Sequence, residues 1–145
     1  IISTRLLAEV REKEGATYSI QTQGELNRLE KVNLSFLTQF KTRPEMLDKS
    51  LEIIRQEFEK LSQQVDAEEF AKVKEYMVKL YTKSLKENLP WSKSMANYQL
   101  CPEDSFVQGL DLIEKLTPKD VSSFVKQVMK QGNYQVVVLS TDISK

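Results

Sequence analysis

The chain has 145 residues, enough for one domain or a piece of a larger one, and its scarcity of Gly and Pro excludes collagen-like and linker-like sequences. Lys plus Arg and Asp plus Glu both number 21 and are interspersed, so the one-signed field that draws proteins to nucleic acid is absent. No histidine occurs, which excludes a Ser-His-Asp triad, a Cys-His pair and any His-ligated zinc site within the chain.

In chain order, residues 2–14 carry Ile2, Leu6 and Val10 four apart with Leu7 beside them, a helical period. Gly15 suits the left-handed position that ends a helix. From 16 to 26 the period changes to two: Tyr18, Ile20, Thr22 and Leu26 share one side, and Thr17, Ser19, Gln21 and Gln23 the other. Residues 32–40 repeat the alternation, with Val32, Leu34, Phe36 and Phe40 against Asn33, Ser35 and Gln39. Two half-buried strands joined by the short polar link NRLEK predict an antiparallel hairpin.

Pro44 then fits the first turn of a long helix whose stripe is Leu47, Leu51, Ile54, Phe58 and Leu61. A second long helix, DAEEFAKVKEYMVKLYTKSLKEN, starts with Asp66 and Glu69 at capping-box spacing and has Phe70, Val73, Met77 and Leu80 as its expected buried face. Pro90 stops it. WSKSMANYQL predicts a shorter helix carrying Trp91, Met95 and Tyr98. After Pro102 a further helix turns Phe106, Leu110 and Ile113 inward. Thr117 and Pro118 open the last helix, with Val121, Phe124, Val125 and Val128 as its stripe and Gly132 at its end. NYQVVVLST predicts a closing strand, and its unbroken run Val136–Leu139 predicts burial on both faces in a central position.

The order helix, strand, strand, several helices, strand predicts an α+β unit, a small mostly antiparallel sheet covered on one face by helices. Residues 1–145 are read as a single partial domain. Three strands with long open edges are a poor stopping point, so leading strands upstream of Ile1, or a partner, are expected to complete the sheet. The opening IISTRLL has no Met and is read as the start of an excised piece, so a missing leader says nothing about export. No apolar run approaches the roughly 20 residues that span a bilayer, and no membrane insertion is expected.

LLAEVREKEGATYSI resembles a signature of the pitrilysin/insulinase family of zinc metallopeptidases: a leucine-rich helix, an Arg, a polar stretch with Gly, and a Tyr seven residues after the Arg. Arg11 and Tyr18 match that spacing. RPEMLDKSLEIIRQEFEKL with DAEEFAKVKEYMVKLYTKSLKEN is similar to the family's paired helices, and LIEKLTPKDVSSFVKQVM with NYQVVVLST to its last helix and closing strand. The resemblance covers almost the whole chain. It implies one unit of a peptidase built from repeated α+β units around a closed chamber, with zinc on an inverted H-x-x-E-H helix in the N-terminal half. Lacking His, this chain resembles the C-terminal, metal-free half. The resemblance implies that Arg11 and Tyr18 bind substrate, holding the peptide backbone near a metal that the N-terminal half of the same polypeptide or a partner subunit supplies. It implies no cofactor and no catalytic activity in this piece alone. β-Augmentation is a natural binding mode for an extended peptide. A different class is also implied, a non-catalytic structural or partner subunit, because some members have lost catalysis. Bacterial relatives imply the periplasm, with the cytoplasm as the alternative.

Each residue also has a plain structural reading. Arg11 in a last helical turn complements the helix dipole, and Tyr18 on the apolar side of a strand is core. The carboxylates Glu12, Glu14, Glu68, Glu69, Glu103 and Asp104 read as solvated helix faces and first-turn caps, since adjacent helical positions do not face each other. Cys101, with no His to activate it, reads as a quiet thiol. Trp91 and Tyr98 read as packing, and the lysines of KVKEYMVKLYTKSLKE as a solvated face.

Overall fold

The computed structural model describes residues 1–27, 33–100 and 106–140. Helix α1 (Ile2–Leu6) runs without a break into a π-helical segment, Leu7–Lys13. Leu6 and Val10 are fully buried on its inner side, because a step of four returns side chains to one helix face. Strands β1 (Ile20–Asn27) and β2 (Asn33–Phe40) pair antiparallel, with Ile20 opposite Phe40 and Asn27 opposite Asn33. In β2 the expected alternation is realised: Leu34, Phe36 and Phe40 are half-buried, Ser35 and Gln39 exposed. The register sets Gly24 opposite Phe36, and the ring lies so close that a Cβ on Gly24 would sit 3.3 Å from it. From there Phe36 meets Phe58 and Phe124 at centroid distances of 6.1 and 6.2 Å. These contacts tie the hairpin to two helices on one face.

Those helices are α2 (Leu47–Gln63), entered through a 3-10 turn at Pro44–Met46, and α6 (Pro118–Lys130), which packs along α2. Ile54 and Leu61 of the α2 stripe are buried, and Leu47, Leu51 and Phe58 half-buried. Buried Ser50 donates to the Met46 carbonyl at 2.7 Å, which satisfies its hydroxyl within the helix. Thr117 and Asp120 form a capping box that opens α6. Two adjoining clusters make the core. Leu6, Val10, Ala16, Ile20 and Ile54 form one, Leu61, Val65 and Val125 the other, and Ile2 and Phe58 pack on both.

Helix α3 (Ala67–Ser84) begins at Asp66, whose carboxylate accepts the Glu69 N–H at 2.8 Å as the capping spacing predicts. Pro90 lies in the first turn of α4 (Asn88–Leu100), where a missing N–H breaks no helical bond. Helix α5 (Gly109–Lys115) packs on α3 with Ile113 buried; the Tyr81 hydroxyl donates to the Phe106 carbonyl, and a Cβ on Gly109 would collide with the Tyr81 ring. Trp91 meets Phe106 edge-on at 5.0 Å and donates its indole N–H to the Leu85 carbonyl at 2.8 Å. It is a packing residue, as expected.

The expected α+β class is therefore present, but two expectations are corrected. Residues 133–140 form no strand, and Val137 and Leu139 are 83% and 95% exposed rather than central. Among the described residues the sheet has two strands. An apolar run states a demand for burial, but a strand also needs neighbours for its backbone N–H and C=O groups. The second correction concerns α3. Phe70 and Val73 are half-buried, but Met77 and Leu80 are exposed, because α5 covers only part of the predicted face. The hairpin link at 28–32, including Val32, and Cys101, Pro102, Glu103 and Asp104 lie outside the described residues.

Candidate functional site

Arg11 stands in the π-helical segment, and the way that segment ends sets its place. The Gly15 N–H donates to the Arg11 carbonyl at 3.0 Å and the Ala16 N–H to the Val10 carbonyl at 3.1 Å. Each bond spans one residue more than its counterpart at a Schellman end, as the wider π turn requires. Gly15 makes the reversal at φ +58°, the conformation its sequence position predicts. Lys13 meets Glu9 at 2.6 Å within the segment, and Glu14 just beyond it is held by Lys49 of α2.

After Gly15 the chain turns inward and then out again. Ala16 and Thr17 are buried, and Tyr18 is 87% exposed. The buried Thr17 hydroxyl donates to the Ser19 carbonyl at 2.8 Å and accepts the Ser19 N–H at 3.3 Å, folding the backbone around Tyr18. Across the loop, the Thr42 hydroxyl donates to the Ala16 carbonyl at 2.8 Å. β1 begins only at Ile20, so Tyr18 precedes the strand and does not share its inward side. The reading of Tyr18 as core is thereby corrected.

The two predicted side chains come together. The Arg11 guanidinium carbon lies 5.5 Å from the centre of the Tyr18 ring, a cation–π contact worth about 0.5–1 kcal/mol at an exposed site. Neither the guanidinium nor the hydroxyl has a hydrogen-bond partner among the described residues. Arg offers five N–H donors in a fixed fork and Tyr one O–H on a rigid ring, so the pair presents donors to solvent from a braced turn.

Among the described residues the carboxylates do not assemble into a second site. Glu68 pairs with Lys72 at 2.7 Å on the face of α3. Glu69 takes three hydrogen bonds from Arg5, at 3.2, 3.0 and 2.7 Å, which tie α3 to α1 and hold the Arg5 guanidinium above its ordinary value. Buried Glu57 accepts from Lys60 at 2.5 Å, which raises that lysine in turn. Sequence reasoning missed Arg5–Glu69, since residues 64 positions apart carry no local sign of contact, whereas the i,i+3 spacing of Glu57 and Lys60 was a local signal that could have found that pair. An open cleft of about 400 Å³ lies here, lined by Arg5, Lys60, Gln63, Gln64 and Asp66, away from Arg11 and Tyr18. Its cations are already neutralised by Glu69 and Glu57, so it offers less than the exposed pair. No group of three or more His, Cys, Asp or Glu among the described residues fits a metal ion.

A helix, a braced Gly turn and an antiparallel hairpin packed against two helices make up an α+β unit. The model of a family described as the peptidase M16 inactive domain matches residues 1–77, more than half of the chain, which therefore belongs to the pitrilysin/insulinase (M16) family as its inactive domain. Among solved structures it is similar to the periplasmic protease PqqL from Escherichia coli, with a TM-score of 0.72 over 87% of this chain and 19% identity. The chain spans 14% of the length of that protein. No curated protein matches it.

Proposed function

We propose that this chain is the part of a zinc peptidase that walls the substrate chamber and holds an extended peptide, with Arg11 and Tyr18 as the binding pair. The observation that carries this reading is the Arg11–Tyr18 contact between two exposed residues, neither of which spends a side-chain donor on a hydrogen bond among the described residues. These donors can bond peptide carbonyls and stabilise an oxyanion developing at the scissile carbonyl. The metal, with the residues that bind it, belongs to a catalytic half of the same polypeptide or to a partner subunit. Family membership as an inactive domain supports that division. The name of the Escherichia coli protein, a periplasmic protease, supports proteolysis and export as the setting. Residues 1–145 are then one partial domain of a larger peptidase.

The test is cleavage of a quenched peptide by the whole protein that carries this chain, with and without a zinc chelator. Chelator-sensitive cleavage supports the reading. No cleavage by that protein, alone or with the proteins that co-purify with it, makes the chain a structural subunit instead.

A further inference from the structure

Resting on the reading of Arg11 and Tyr18 as the peptide-binding pair, we propose that the Thr17 hydroxyl, backed by Thr42, is the positioning device that holds Tyr18 beside Arg11. Arg11 is fixed from its own side by the π-helical end, through the Gly15 and Ala16 N–H bonds. Tyr18 has no such support: it is 87% exposed and lies outside β1. What defines its backbone is Thr17, 8% exposed, whose one hydroxyl both donates to and accepts from Ser19, at 2.8 and 3.3 Å. That three-residue clasp turns Tyr18 outward between two inward-facing residues, Thr17 and Ile20. Thr42, in the segment leaving β2, holds the Ala16 carbonyl at 2.8 Å and so fixes the loop against the far end of the hairpin.

A buried threonine that bonds only its own loop could be replaced by valine with little change of shape if packing were its whole role. Its hydroxyl instead restrains the backbone of an exposed residue that lies outside both core clusters. For an exposed side chain, that restraint is the difference between a pre-set donor and a freely turning one.

The experiment reads the pair directly, by NMR of this chain. The Tyr18 ring should displace the Arg11 side-chain proton resonances upfield, with Tyr18→Leu as the zero reference. Thr17→Val should abolish the displacement while the remaining resonances stay dispersed, and Thr17→Ser, which keeps the hydroxyl, should retain it. Thr17→Ala replaces the valine variant if that one does not fold. In the whole protein the valine variant should lower kcat/KM on the order of 10²-fold, as for a misplacement of about an ångström, and the serine variant should restore it. Full displacement in Thr17→Val, or its loss in Thr17→Ser, overturns the positioning role. The proton shift needs no peptide, so it separates the two claims: cleavage indifferent to Arg11→Ala overturns the clamp, whereas a persisting shift overturns the positioning.

Discussion

Replacing Arg5 by Met keeps the aliphatic stem and removes the charge that links α1 to α3. Arg5 approaches both Glu69 oxygens through Nε and one through its terminal nitrogen, with the closest contact 2.7 Å. The two side chains are 18% and 23% exposed, so the pair is neither a free surface bridge nor a dry one. An exposed pair contributes about 0.2–1 kcal/mol, and a hydrogen bond to a charged group about 1.5–3 kcal/mol. Partial exposure discounts the upper figure, leaving a coupling of about 1–2 kcal/mol between the residues. Urea unfolding of the parent, Arg5→Met, Glu69→Gln and the double variant closes the cycle. Because Glu69 holds Arg5 above its ordinary value, the arginine's contribution is complete below that value and is lost only as pH rises through the still higher folded one. A coupling below about 0.3 kcal/mol, the floor for independent sites, would refute the reasoning.

Leu61→Ala opens a cavity between α2 and α6 and should cost about 2–5 kcal/mol in urea unfolding, since Leu61 is buried in the second core cluster. Gly15→Ala at φ +58° should cost about 1–2 kcal/mol and loosen the turn between Arg11 and Tyr18, read as faster amide exchange at Ala16. At the start of α6, the Asp120 carboxylate accepts the Thr117 hydroxyl at 2.6 Å and its N–H at 2.9 Å, which hold it below the ordinary Asp value. Its contribution is therefore present above that ordinary value and fades as pH falls through the lower folded one. In an acid titration of Tm, Asp120→Asn should remove part of the decline below about pH 4, the ordinary Asp range.

Much of the fold was legible because each signal was local. Gly15, the Asp66 and Thr117 caps, the α2 stripe and the alternation of Leu34, Phe36 and Phe40 follow from periods and end residues within one element. Met77, Leu80 and the 136–139 run were misjudged for one shared reason. Apolar side chains mark a face that wants cover, but the cover comes from other elements, and the strand's backbone needs a neighbour that no local pattern supplies. Tyr18 failed in a different way. Extending the β alternation two residues before the strand placed it inward, whereas the Thr17–Ser19 bonds break the period there. The bare spacing of Arg11 and Tyr18 was legible; the bend that brings the guanidinium over the ring was not, although threonine is one of the residues whose hydroxyl makes such a turn with the backbone two residues on.

The central claim is that Arg11 and Tyr18 hold the peptide. Its most direct test is kcat/KM for quenched-peptide cleavage by the whole protein carrying Arg11→Ala or Tyr18→Phe, with Tm measured in parallel. Losses of about 10²–10³-fold, the usual effect of removing one donor to a developing oxyanion, are expected at unchanged Tm. Wild-type turnover in both variants would contradict the claim.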